Sequence, residues 1–144
     1  MRGSMGKKVR LTLTGRQRDD LGQENVTELS AEAEYFERNG SHYILYEEKQ
    51  ADGGSTKNTI KLKNGLLELT KKGAVNARMV FEPGQEHMTD YATPYGLLRL
   101  GVATTGVFIE QSEKTLEIRA DYSLTDNGRI LSRCTIFIKI QDLV

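Results

Sequence analysis

The chain has 144 residues, 38% of them hydrophobic and 28% charged, enough for one compact domain and too few for two. Twenty Lys and Arg balance twenty Asp and Glu at a net charge of +0, so the basic footprint of a nucleic-acid or anionic-lipid binder is missing. No apolar run reaches the roughly 18 residues of a membrane-spanning helix, and the mean hydropathy of −0.50 predicts a modest core under a well-solvated surface.

Met1-Arg2-Gly3-Ser4 ahead of Met5 reads as an expression-vector remnant, which leaves residues 5–144 as the expected domain. Neither a secretory leader nor a pair of cysteines is evident. The lone Cys134 cannot close an intramolecular disulfide, and the expected setting is cytoplasmic.

Along the chain the dominant signal is alternation of apolar and polar residues, the period of strands with one face buried. Val9, Leu11 and Leu13 oppose Lys8, Arg10, Thr12 and Thr14. Next, Ser30–Arg38 is rich in helix formers, and Ser30 could cap a helix. Alternation argues for a strand instead, with Leu29, Ala31, Ala33 and Tyr35 on one face and Glu28, Ser30, Glu32 and Glu34 on the other. Asn39-Gly40 then leads into His42–Glu48, and Asn64-Gly65 separates Thr59–Lys63 from Leu66–Lys71. Such Asn-Gly pairs supply the positive φ angles of a tight hairpin.

Val75, Ala77, Met79 and Phe81 form a further alternating run. The stretch from Tyr91 to Glu110 is interrupted by Pro94 and by glycines at 96, 101 and 106, which predicts a sharp bend or a division into two strands. Leu116, Ile118, Ala120, Tyr122 and Leu124 alternate up to Asp126-Asn127-Gly128, and Ile130, Ser132, Cys134, Ile136, Ile138 and Ile140 repeat the pattern beyond it. Eight to ten strands with short connections predict sequential antiparallel pairing in an all-β meander. Closure into a barrel would remove the exposed edges. A barrel of that size is either filled by side chains or hollow enough for one small ligand.

Several ordered pieces carry a family resemblance: Tyr46-Glu47-Glu48, Thr59-Ile60-Lys61, Gly73-Ala74-Val75 running to Phe81 and Gly84, and Tyr91 followed by Thr93-Pro94-Tyr95-Gly96. In this order, from about Val9 to Ile140, they resemble the YwiB-like family of small bacterial proteins, a domain of unknown function with a lipocalin-like (calycin-type) barrel. The resemblance implies an antiparallel meander barrel of about 8–10 strands. It brings no activity, and the analogy to lipocalins points to a ligand only at the level of fold.

No catalytic arrangement stands out. His42 and His87 have no metal-ligand spacing, and no nucleophile elbow, phosphate loop or dinucleotide fingerprint is present, so neither enzyme activity nor a cofactor is expected. Cys134 reads as a small buried hydrophobe, and Arg78 falls on the outer face. Glu47 and Glu48 point to opposite faces and cannot act together on one bond. One of them turns inward, either as a structural ion pair with Lys61 or a following strand, or to orient a polar ligand group.

Tyr46 shares parity with Glu48, and Tyr91 and Tyr95 share parity with Thr93. Such tyrosines suit a pocket or a satisfied core equally. The candidate ligand site is therefore Tyr46, Glu48, Tyr91 and Tyr95 with the apolar face of the final hairpin, holding a small, partly apolar molecule. The alternative is an interaction module with a filled barrel and an exposed apolar patch around Phe36 and Phe137. Monomer and homodimer remain equally open. The clusters Lys7, Lys8, Arg10, Arg16, Arg18 and Glu24, Glu28, Glu32, Glu34, Glu37 are expected to form cross-strand pairs on the wet face.

Overall fold

The computed structural model describes residues 6–143, and the vector-remnant reading of residues 1–4 lies outside them. Ten strands follow one another: β1 (Lys7–Asp19), β2 (Glu24–Arg38), β3 (Ser41–Lys49), β4 (Ser55–Lys63), β5 (Leu66–Gly73), β6 (Ala77–Phe81), β7 (Glu86–Thr93), β8 (Gly96–Gln111), β9 (Thr115–Asp126) and β10 (Arg129–Asp142). There is no helix among the described residues, hence none long and apolar enough to cross a membrane. Residues 30–38 are strand, as alternation requires: tertiary pairing with β1 and burial of Ala33 and Tyr35 outweigh the helical propensity of the segment.

All ten strands form one antiparallel sheet in the order β6-β5-β4-β3-β2-β1-β10-β9-β8-β7. The chain ends lie in the middle of this order, where β1 and β10 pair over eleven residue pairs from Val9↔Asp142 to Asp19↔Ser132. The two outer strands, β6 and β7, then meet to make a nearly closed barrel. Their seam is slight: an Asn76↔Ala92 bridge, the Thr89 hydroxyl donating to the Arg78 carbonyl at 3.1 Å, and a Glu82–His87 contact at 2.8 Å.

The Asn-Gly pairs turn as expected, with φ of 52° and 78° at Asn39-Gly40, 51° and 76° at Asn64-Gly65, and 50° and 80° at Asn127-Gly128. Two consecutive positive φ angles define the hairpin turn whose twist matches the strands it joins. Between β7 and β8 the turn is Pro94-Tyr95, closed by the Thr93↔Gly96 pair. The long stretch from Tyr91 thus both divides there and bends again, at a bulge between Thr104 and Gly106.

The side chains pointing inward from one end of the barrel form a solid core: Val9, Leu11, Ile44, Ile60, Leu62, Leu67, Phe81, Val102, Ile118 and Ile138 are all nearly or fully buried. Outside, the charged clusters of β1 and β2 pair across the strands, Lys8 with Glu32 at 3.3 Å and Arg16 and Arg18 with Glu24 at 3.6 Å. Exposed pairs of this kind contribute a few tenths of a kcal/mol. Arg78 lies outside, on Glu68 at 3.0 Å.

Candidate functional site

Towards the end of the barrel that carries the β1–β2, β3–β4 and β9–β10 turns, the interior is not filled. A cavity of about 410 Å³ lies above the core. Its apolar wall comes from Leu13 and Leu29 on β1 and β2, Leu69 and Met79 on β5 and β6, and Ile136 on β10. Tyr46, Tyr91 and Tyr122 add three rings, and Gln17, Asn25 and Thr27 form a polar rim. Gly15 sits in the same wall, where a Cβ would come within 3.1 Å of the Thr27 hydroxyl.

One polar cluster enters this wall. Strand alternation that buries Ile44 and Tyr46 also turns Glu48 inward, and the alternation of Leu67 and Leu69 does the same for Lys71. The Lys71 ammonium donates to Glu48 Oε1 at 2.9 Å and to Asn58 Oδ1 at 2.8 Å. The Asn58 amide donates to Glu48 Oε1 at 3.0 Å. Three side chains from β3, β4 and β5 therefore satisfy one another while Glu48 and Lys71 keep partial contact with solvent. Next to them, burial pushes the Tyr46 phenol well above its ordinary range, with the Glu48 carboxylate and Tyr91 acting in the same direction.

A second group lies on the β9–β10 side. Gln17 donates to Ser132 Oγ at 3.0 Å, and Ser132 meets the Cys134 thiol at 3.6 Å. Burial raises the Cys134 thiol, partly offset by hydrogen bonds with Ser132, Tyr122 and the Leu124 backbone. A thiol held protonated is a poor nucleophile, consistent with a packing role. Tyr122 is likewise raised, first by burial, and packs edge-on against Phe81 at 4.8 Å between ring centroids. Among the described residues no cluster of His, Cys, Asp and Glu could hold a metal ion.

Of the four residues singled out by sequence, Tyr46, Glu48 and Tyr91 line the cavity. Tyr95 does not: it is 99% exposed. Its parity with Tyr91 assumes one continuous strand, whereas the Pro94-Tyr95 turn ends β7 at Thr93 and carries the ring into solvent. Glu48 finds its cation on β5, at Lys71; Lys61 faces outward over the Tyr43 ring at 5.7 Å. Phe36 and Phe137 form no common patch. Phe137 aligns through Thr14 with Glu28, far along β2 from Phe36, which stacks on Tyr43 at 4.9 Å.

Sequence reasoning overlooked Lys71 and Asn58. Their signal was parity: Lys71 follows Leu67 and Leu69 at even spacing, and Asn58 precedes Ile60 and Leu62 in the same way.

A nearly closed antiparallel barrel with a half-filled interior and one inward ion pair defines a class of small barrel proteins with an internal cavity. The chain belongs to the family described as "Domain of unknown function (DUF1934)", whose pattern it matches over residues 11–138. It is similar to "Uncharacterized beta-barrel protein YwiB" of Bacillus subtilis (strain 168), at 24% identity over 120 residues, spanning 82% of this chain and 84% of that protein. The fold is that of the "Crystal structure of ywiB protein from Bacillus subtilis", with a TM-score of 0.86 at 20% identity over 99% of this chain and 96% of that one.

Proposed function

We propose that the protein is a non-enzymatic barrel that binds a small, partly apolar molecule in the cavity above its core. The observation that carries this reading is the cavity itself. Its roughly 410 Å³ falls within the ~300–1,000 Å³ of typical small-molecule sites, and it combines an apolar wall with a few converging polar groups. In this reading Leu13, Leu29, Leu69 and Met79 hold the apolar part of the ligand. Tyr46, Tyr91 and the Glu48–Lys71–Asn58 cluster orient its polar end. A barrel that works only through its outer face would have no use for unfilled interior volume, which weighs against the interaction-module alternative. A cytoplasmic setting belongs to the same proposal, supported by a lone buried thiol and no disulfide.

The test is titration with an environment-sensitive anilinonaphthalene probe, alongside native mass spectrometry of protein purified from cells. Expected are saturable one-to-one binding of the probe and its loss in Leu29→Trp, where an indole fills the cavity. Non-saturable fluorescence, or equal binding by the filled variant, overturns the reading.

A further inference from the structure

The barrel wall has a second opening, between β2 and β3. These strands pair only from Glu34↔Leu45 to Arg38↔Ser41. Beyond that point β2 runs on from Ala33 back to Glu24 paired with β1 alone, while Tyr46–Lys49 of β3 pair with β4 alone. The two strands diverge around a groove of about 570 Å³ that includes Glu32, Glu34, Leu45, Glu47 and Lys57, and Tyr46 lines both this groove and the interior cavity.

Backbone hydrogen bonding alternates along an antiparallel strand, so the register fixes which groups face the opening. Arg38 and Ser41 close a two-residue hairpin and exchange hydrogen bonds, and every second pair from there does the same. The even-numbered residues of β2 therefore direct their N–H and C=O groups towards β3. From Glu32 through Ser30 and Glu28 to Val26 these groups have no strand to meet. Such a row is a template for an added strand. The same even-numbered side chains point outward, and they are acidic at Glu24, Glu28, Glu32 and Glu34. Glu24 and Glu32 have cations on β1, whereas Glu28, Glu34 and Glu47 have no ion-pair partner among the described residues.

We infer that the free edge of β2 accepts an extended peptide segment that alternates apolar and basic residues, added antiparallel in the place β3 vacates. In that register the residues hydrogen-bonded to β2 are also the outward-facing ones, as Leu45 is opposite Glu34. Lys or Arg there would stand directly across from Glu28 and Glu32, and the intervening apolar residues would point towards Leu29 and Tyr46. A second copy of this chain is a poor occupant by the same geometry, because pairing two β2 edges would set Glu against Glu.

The experiment uses the full chain and a labelled ten-residue peptide of alternating Lys and Val, read by fluorescence anisotropy and amide hydrogen exchange. Expected are saturable binding and slowed exchange at Val26, Glu28, Ser30 and Glu32. Affinity should fall at least tenfold when the peptide is N-methylated at its Lys residues, and remain when it is N-methylated at its Val residues. It should fall similarly in Ser30→Pro, which removes an edge donor outside the β1–β2 ladder, and in the Glu28→Lys/Glu34→Lys double variant. Circular dichroism checks the fold of each variant; should Ser30→Pro fail to fold, the methylated peptides decide alone. Absence of saturable binding, or equal binding of the Lys-methylated peptide, overturns the inference, the latter because charge alone would then account for it.

Discussion

Glu48 and Lys71 illustrate what a partly buried pair does in a barrel of this kind. Neither charge is free to solvate fully, and each satisfies the other together with Asn58. Removing one partner leaves the other charge facing an apolar wall, which costs more than the pair itself contributes. Lys71→Met should therefore destabilise the protein by about 1–2 kcal/mol, the cost being limited by the residual solvent contact of the site. The Glu48→Gln/Lys71→Met double variant should recover part of that loss. Urea unfolding of the four proteins in a double-mutant cycle measures the coupling directly, and strict additivity would show the cluster to be energetically idle. Parity along β3 turns Glu48 inward, and the same count along β5, which sequence reasoning did not make, would have turned Lys71 inward too. What parity could not supply was the partner. Lys61 and Lys71 lie on neighbouring strands, and only the registers Glu47↔Lys57 and Lys57↔Lys72 decide that Glu48 reaches β5.

At the level of strands, the sequence was most legible where a turn and an alternating pattern agree. The three Asn-Gly hairpins, β9–β10 among them, follow directly from them. Legibility failed at Tyr95, where Pro94 was correctly read as an interruption but the parity count was carried across it. It was also limited at the two weak places in the wall, because strand sequences carry no mark of where neighbours stop pairing. β2 offers the same alternation on both sides of Ala33, yet it pairs with β3 on one side only. The β6–β7 seam is the other such place. β6 has five residues, and along it the seam to β7 holds only the Asn76↔Ala92 bridge just before the strand, the Thr89–Arg78 hydrogen bond, and the Glu82–His87 contact at 2.8 Å just after it. Few backbone bonds across a seam mean local opening at less than the global free energy. Native-state hydrogen exchange should accordingly find the seam-facing amides of Asn76 and Ala92 exchanging faster than those of β1 and β10 by at least tenfold. Equal protection at the seam and in the β1–β10 ladder would mean that the barrel opens only as a whole.

Across the whole molecule, the core and the cavity wall share one set of inward residues, so the tyrosines that line the interior report on the entire fold. Tyr46 and Tyr122 on opposite walls, and Tyr35 near the far end of β2, all have phenols raised above the ordinary tyrosine value of about 10, in each case first by burial. In the unfolded chain these phenols ionise near pH 10, while in the native protein they stay protonated. Above that pH the native state therefore binds more protons than the unfolded state, and stability must fall as pH rises; below it the contribution is fully retained. Each retained proton costs about 1.4 kcal/mol per pH unit, so Tyr46 and Tyr122 together give a slope of about 3 kcal/mol per unit, steepened in the same direction by Tyr35. A marginally stable domain cannot sustain that slope for more than a few units of pH. The expected result is an alkaline transition in which tyrosinate absorbance and loss of β-sheet circular dichroism rise together. In Tyr46→Phe the slope should be shallower by about 1.4 kcal/mol per pH unit. Smooth ionisation of every tyrosine with the sheet intact would mean that solvent reaches the interior freely, and the barrel would then be far more open than its packed lower half requires.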